Sequence, residues 1–420
     1  MKKIPMIKWA KDLFPICRSI TGDGTRKTLS YFTKLNPELK RIKFKTGKKV
    51  FDWIIPEEWN IRDAYIQHQS GKKFAEFKKN NLHIVGYSQP IKTTISKKNL
   101  LNYIYTQKDQ PNSIPYVTSY YKKNWGFCLS ENKKKKLPNG NYKVFIDSDF
   151  KKGNLELSHA IFKGTSRKEI FFSSYICHPS MANNELSGPV LLNAAMLYLK
   201  SKYKKRRYTY RFVLLPETIG SIAYLSKFKT AMKKNILCGF NITCVGDERS
   251  YSYISSPKGN TLADDALTAA LLKLPNVKKY SFLDRGSDER QYCSPRINLP
   301  LCGFSRSKQY PEYHTDKDNF NVVTQKGLEG SLDVVKRIID SFELGIYPKT
   351  LTFGEPSLSK RGLYPTISQK GRHGSIRLRM NLIAYSDGKT NIFKIANLLN
   401  EPINKVYEEY KILKSKKVLK

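Results

Sequence analysis

Cysteine gives this chain no framework. Its seven cysteines (17, 128, 177, 238, 244, 293 and 302) are odd in number, widely scattered and set mostly in apolar, strand-like contexts. That pattern predicts buried free thiols rather than disulfides. No two of them stand as C-x-x-C, which excludes a zinc ribbon and a redox dithiol. Nowhere do about 18 apolar residues run together, so no membrane-spanning helix and no membrane insertion are expected. Residues 1–12 are basic but lack an apolar run long enough for a signal peptide, and a cytoplasmic location is expected. There is no internal repeat. Acid is scarce too, with 35 Asp and Glu against 75 Lys and Arg, a formal charge of +40. Such an excess would suit nucleic acid, an acidic glycan or an anionic membrane surface. It is spread along the whole chain in short runs, such as residues 133–136 and 204–207, so a solvated, Lys-biased surface is the expectation.

What is present is a globular chain. At 420 residues, 40% hydrophobic and 12% aromatic, it can bury a large core in two or three domains. Residues 1–40 read as an opening helical unit interrupted at 17–24 by two glycines and an Asp, a loop that either turns or binds an anion. Short strand-like pieces then follow to about residue 113. Next come strands at 169–176, 208–216, 237–245 and 299–305, separated by helical stretches at 189–203, 221–234 and 259–274, with a long amphipathic helix near 325–343. Alternation of this kind predicts an α/β fold with a mainly parallel sheet covered by helices. The expected division is an α/β domain of residues 1–43 and 116–350, an inserted small β-rich domain at 44–115, and a winged-helix-like domain at 354–420. A Pro- and Gly-rich connector ending at Pro365 precedes three short helices in 377–420, the last two at 391–399 and 402–414.

The chemistry-bearing residues fall at one edge of the predicted sheet. His178 lies just past the carboxyl end of a strand, where open α/β sheets keep their ligands, and a helix starts at Ser187 or Gly188 with Pro189 in its first turn. Glu217 ends the next buried strand, and a carboxylate there can act as a general base or a metal ligand. Asp247 does the same one strand later, and His314 sits in a late polar loop. Each alone is as well explained as a cap or a surface residue. Two His and two acids at successive strand ends suit a borderline metal such as zinc.

The order of these pieces carries a resemblance. HPSMANNELSGP, LPETIGSIAYL, RGSDERQYC, YPEYHTDKDN and GEPSLSKRGLYP resemble bacterial proteins with an aminopeptidase-like domain, an inserted small domain of unknown function and a carboxy-terminal winged helix. The order of motifs also resembles that of the zinc-dependent aminopeptidase fold. The resemblance covers nearly the whole chain and implies a peptidase-like fold, often in polysaccharide-biosynthesis settings. It places His178 on the first zinc-binding His, His314 on the last, and Glu217 on the catalytic Glu. It also implies departures, because the bridging metal-ligand Asp of a two-zinc site is Asn184 here, the second Glu is Thr218, and the third-strand Asp is Thr243. Neutral groups replace charges that would hold two cations about 3.5–4 Å apart. One zinc is therefore expected, on His178 and His314 with Asp247 as third ligand, Glu185 being the alternative acid. Glu217 then acts as base in hydrolysis of a peptide or amide-linked small substrate. Asn184, Glu185, Asp288 and Tyr313 are assigned to the substrate side. Arg285 and Arg290 either fix a substrate carboxylate or phosphate or form a structural cluster. The alternative is a catalytically inactive peptidase fold that binds a ligand.

The tail resembles a winged helix. Its last helix is rich in Lys without the Arg, Asn or Gln cluster that offers bidentate readout of bases. Specific nucleic-acid binding is therefore not expected, and the tail should pack on the body or mediate homo-oligomerisation.

Overall fold

The strands Glu169–Tyr175 and Thr209–Leu215 are buried at every position, as near-continuous apolar runs must be when helices cover both faces of a sheet. In this computed structural model, which describes residues 4–364 and 374–420, they form the middle of an eight-stranded sheet. Residues 1–3 and Pro365 of the expected connector lie outside the described residues. The sheet order is Lys40–Lys45, Asn154–Phe162, Thr209–Leu215, Glu169–Tyr175, Ile236–Ile242, Leu301–Ser305, Tyr251–Ile254 and Val277–Tyr280. The four strands from Thr209–Leu215 to Leu301–Ser305 run parallel, and antiparallel neighbours flank them on each side. Their shared carboxyl edge carries the site.

Two cores cover the faces. On one, Ser187–Lys202, Leu262–Leu271 and Gln325–Leu344 pack with Met6–Leu13 and Asp23–Leu35 through residues such as Met6, Leu29, Val190, Leu267 and Val335. On the other, Ile219–Asn235 buries Ile222, Leu225 and Met232, in one cluster with the small-domain residues Ala64, Tyr142 and Val144.

The small domain differs from its expected boundary. Its antiparallel sheet has the order Lys73–Glu76, Glu58–His68, Asn141–Lys151, Ile91–Ser96, so a cut at residue 115 would separate paired strands. Register explains why. Pairing Ile66 with Val144 and Ala64 with Ile146 puts the buried alternate positions of both strands on one face. The insertion thus occupies the stretch between Lys40–Lys45 and Asn154–Phe162. All seven cysteines are free.

The tail helices Gly374–Ala384, Ile392–Leu399 and Ile403–Ser415 are seated on the body. Asn391 and Asn397 donate to the Asp265 side chain and carbonyl at 2.9 and 3.1 Å, and Phe393 packs on Phe342 with ring centroids 5.2 Å apart. On the last helix Lys405 and Lys411 are paired with Glu401 and Glu408, and Lys414 donates to the Leu344 carbonyl. The Lys surplus of this helix is therefore partly spent on its own acids and on the body.

A buried polar cluster crosses the second core. Arg211 donates to Glu169 at 2.6 and 3.0 Å and to Tyr224 at 2.6 Å, and His159 Nδ1 meets the same Tyr224 hydroxyl at 2.9 Å. Burial, with the Arg211 charge beside it, pushes His159 down to about 4 from 6.5. Below its ordinary range the unfolded chain takes up a proton that the folded one refuses, so stability is present above pH about 6.5 and is lost as pH falls toward 4. His159→Gln should lose less stability over that interval. Urea midpoints of the two proteins at neutral pH and near pH 4.5 check this; a difference that does not change with pH would refute it.

Candidate metal and catalytic site

The strand Glu169–Tyr175 runs through Ile176 and Cys177 into His178, and the chain then makes a π-helical turn, Ala182–Leu186, before Ser187–Lys202 begins. Two carboxylates shape this bend. Asp318 accepts the backbone N–H groups of Asn183 and Asn184 at 2.6 and 2.9 Å and the Tyr310 hydroxyl at 2.7 Å. Glu185 turns back beneath His178, where one of its oxygens accepts both the backbone N–H and Nδ1 of that residue, at 2.9 and 3.0 Å. Arg18, only 1% exposed, closes the arrangement from behind. It lies 3.4 Å from the other Glu185 oxygen and donates to the His178 carbonyl at 3.0 Å and the Leu13 carbonyl at 2.7 Å. Burial pushes the Glu185 carboxyl up to about 8, while Arg18 and the His178 N–H group pull it down.

With Nδ1 used in this way, His178 presents Nε2 to Glu217, 3.8 Å from its carboxylate. His314 arrives from the loop after Leu301–Ser305, its ring centroid 5.5 Å from that of His178. Tyr116 lays its ring edge-on to both imidazoles, at 5.1 and 5.3 Å, and its backbone N–H donates to the His314 carbonyl at 2.8 Å. Tyr313 stacks on His314 at 3.9 Å. The His314 Nε2 atom is buried with no hydrogen-bond partner. Burial pushes both imidazoles down to about 3, helped by Arg18 at His178 and by His178 itself at His314. Both are therefore neutral, with lone pairs to give.

Glu217, half-buried at the cavity, and Asp288, fully buried behind it, form a pair of acids. Burial first, then the Asp288 charge, raises Glu217; burial likewise raises Asp288, which is fully buried. Two such neighbours cannot both ionise freely, so the pair holds a proton near neutral pH. One Asp288 oxygen accepts the Thr218 N–H and the Ser221 hydroxyl, both at 2.8 Å, and the other has no partner. This grip holds Thr218 at φ 62°, a region that a β-branched residue almost never occupies. Ser180, Cys244 and His314 have positive φ as well, so backbone strain gathers around the two imidazoles.

Both imidazoles could serve as metal ligands. A neutral His whose Nδ1 is fixed by a carboxylate, facing a second His whose Nε2 is buried and unpartnered, is the arrangement imidazole ligands require. The places where a second ion would need acids hold neutral groups. Asn184 accepts the Tyr175 hydroxyl at 2.7 Å, Thr218 accepts from Arg290, and the Thr243 N–H is bound to the Phe304 carbonyl. Among the described residues, Cys177, His178 and Glu185 bring ligand-type atoms within 4.8 Å of one another. Of these, Glu185 spends an oxygen on orienting His178, and burial keeps the Cys177 thiol protonated.

The expected site residues are thus redistributed. Asp247 does not reach the imidazoles; its oxygens take the Arg249 and Ser307 N–H groups, the Ser307 hydroxyl and the Asn183 amide, so it is a structural acid of its loop. Glu185 and Asn184 are each 1% exposed, the first bonded to His178 and the second to the Tyr175 hydroxyl. Arg285 is exposed and folds over Phe282. Arg290 braces the Thr218 and Ser287 segment at 3.3 and 3.1 Å. Tyr313 does line the cavity of about 550 Å³ that opens on Glu217, with Tyr175, Thr243, Cys244 and Tyr310. Three contributors escaped the sequence reading. Asp318 lies inside the H-T-x-x-D motif and had a signal; Arg18 sat in a loop read as a turn or anion site; Tyr116 had none.

The fold and this edge define the class. Over 79% of this chain and 92% of its own length, the zinc aminopeptidase BSAP of Bacillus subtilis superposes with a TM-score of 0.56 at 12% identity, which shows a shared aminopeptidase-type fold. The chain belongs to the family described as a domain of unknown function (DUF4910), which matches residues 7–344. Residues 346–420 match a winged helix-turn-helix family. A Clostridium acetobutylicum protein, 40% identical over 92% of this chain and 89% of its own, is provisionally named a polysaccharide biosynthesis protein with aminopeptidase-like domain. A crystal structure of a provisionally named peptidase from the same organism is similar over 99% of this chain and 95% of its own, with 36% identity and a TM-score of 0.89.

Thr218 offers a direct test of the strain. Thr218→Gly should raise the thermal midpoint, by relief of about 1–3 kcal/mol of backbone strain partly offset by glycine's greater unfolded-state freedom. A midpoint below that of the wild type would show that the Arg290 bond, not the backbone, governs this position.

Proposed function

We propose that this protein is a single-metal, zinc-dependent hydrolase of amide bonds in a peptide-like or amide-linked small substrate. The observation that carries the reading is the pair of neutral imidazoles, His178 buried and His314 half-buried, set against a Glu217 carboxyl raised by burial and by Asp288. The names of the relatives support it, and they motivate a role in polysaccharide biosynthesis. His178 and His314 would hold the ion, which when bound supplies a Lewis acid for the scissile carbonyl. The chain does the rest. Tyr175, Tyr310 and Tyr313 wall the cavity and exclude water from one side of the substrate. In its ionised form Glu217 takes the proton of the attacking water and then delivers it to the leaving nitrogen, a two-way task for which a raised carboxyl is suited. Asp288 keeps Glu217 raised and fixes the strained turn after it.

The neutral residues at 184, 218 and 243 favour a second reading, a peptidase fold that binds without cleaving. Two measurements separate them. Elemental analysis of the purified chain should find about one zinc per protein, and the His178→Ala, His314→Ala double variant should find none; equal, negligible zinc in both would remove the metal. Against a panel of aminoacyl anilides, Glu217→Gln should lower kcat by a factor of about 10²–10⁴ with little change in KM. Unchanged turnover in that variant would leave the binding protein as the answer.

A further inference from the structure

Away from the carboxyl edge, the hairpin Lys49–Val50 and Trp53–Ile54 projects from the small domain. Its apolar side chains are turned outward, with Phe51 41%, Trp53 37% and Ile54 58% exposed. Tyr121, 53% exposed, joins them by an edge contact to Trp53 at 5.9 Å. Large apolar groups gathered at one tip are unusual on a chain whose surface is otherwise so charged.

Cations ring this tip. On one side lies a cavity of about 730 Å³ with Phe51, Lys229, Lys233, Lys234 and Arg296 in its wall. Its floor is Ile222, Leu225 and Ile297, and no acid lines it. The Lys229 ammonium stands 5.1 Å from the Phe51 ring, and Lys233 donates to the Arg296 carbonyl at 2.9 Å. None of these four cations is in an ion pair among the described residues. On the other side, Tyr121 shares a second hollow with Lys122 and Lys123. Asp52 at the hairpin tip and Glu57 in that hollow are the nearby acids.

We propose that this face docks on an anionic phospholipid surface. Phe51, Trp53, Ile54 and Tyr121 enter the headgroup boundary, where amphipathic aromatic side chains are favoured. The cations on either side meet lipid phosphates, and the cavity between Phe51 and Arg296 takes a headgroup with the upper part of its chain on the aliphatic floor. Juxtamembrane cations contribute about 1 kcal/mol each at such a surface, and the formal charge of +40 draws the whole chain toward it. Nucleic acid would use the same cations but has no use for an exposed Ile54 beside Phe51.

Vesicles test the proposal on the full chain. The protein should sediment with vesicles of equal parts phosphatidylglycerol and phosphatidylcholine at physiological salt, and not with pure phosphatidylcholine. Phe51→Ser with Trp53→Ser should weaken binding at least about tenfold, and Lys229→Ala with Lys233→Ala should do so comparably. Removing a charge-matched pair from the separate basic run, Lys133→Ala with Lys135→Ala, should cost less than about threefold. All these positions are exposed, and unchanged melting midpoints confirm folding; should the double serine variant fail to fold, Ile54→Ser carries the same expectation. The proposal is overturned if the wild type ignores the anionic vesicles, if the hairpin variants bind as well as wild type, if the remote pair matters as much as Lys229 and Lys233, or if duplex DNA displaces the vesicles through the same hairpin.

Discussion

Everything at the carboxyl edge depends on Glu185, a fully buried acid that accepts from His178 twice. Burial of an acid is costly and raises this carboxyl, while Arg18 behind and the His178 N–H groups in front act against that cost. The consequence is directional. By occupying Nδ1, Glu185 fixes the tautomer and the tilt of the ring together, so that Nε2 can only point toward Glu217. Arg18 then ties this unit to the carbonyls of His178 and Leu13, and so anchors the first helix of the chain to the site.

Asp318 performs the corresponding service for the neighbouring loop. Lying four residues after His314, it grips the backbone of Asn183 and Asn184. The loop that delivers one imidazole is thus fastened to the loop that delivers the other. Tyr116, from the opposite direction, clamps the His314 carbonyl and lays its ring against both imidazoles. The low basicity of the imidazoles is a product of this enclosure, and the raised acidity range of Glu217 and Asp288 comes from the same dry environment acting on groups of opposite charge type.

Much of the fold was legible because its signal is local. Strands at 169–176 and 208–216 and helices near 189–203 and 325–343 lie within a few residues of Glu169–Tyr175, Thr209–Leu215, Ser187–Lys202 and Gln325–Leu344, since apolar runs and apolar periodicity are written within single elements. The boundary of the insertion was not legible, because Asn141–Lys151 finds its partners about 80 and 50 residues upstream, and pairing across such distances leaves no mark on either strand alone. The site divides the same way. His178 and Glu217 stand in motifs that mark strand ends and His314 in a polar loop motif, whereas the burial that sets their protonation is a property of the assembled core. Asp247 misled for the same reason: an acid at a strand end looks identical in sequence whether it faces the cleft or satisfies its own loop.

The clamp from Tyr116 to His314 also fixes an order of events in time. The residues that converge here come from positions 18, 116, 178, 217 and 314, so nearly three quarters of the chain must leave the ribosome before the second imidazole exists. Until then His178 has no second nitrogen opposite it. The pair of imidazoles is therefore a late product of synthesis, and the Tyr116 N–H must wait for a carbonyl made about 200 residues after it.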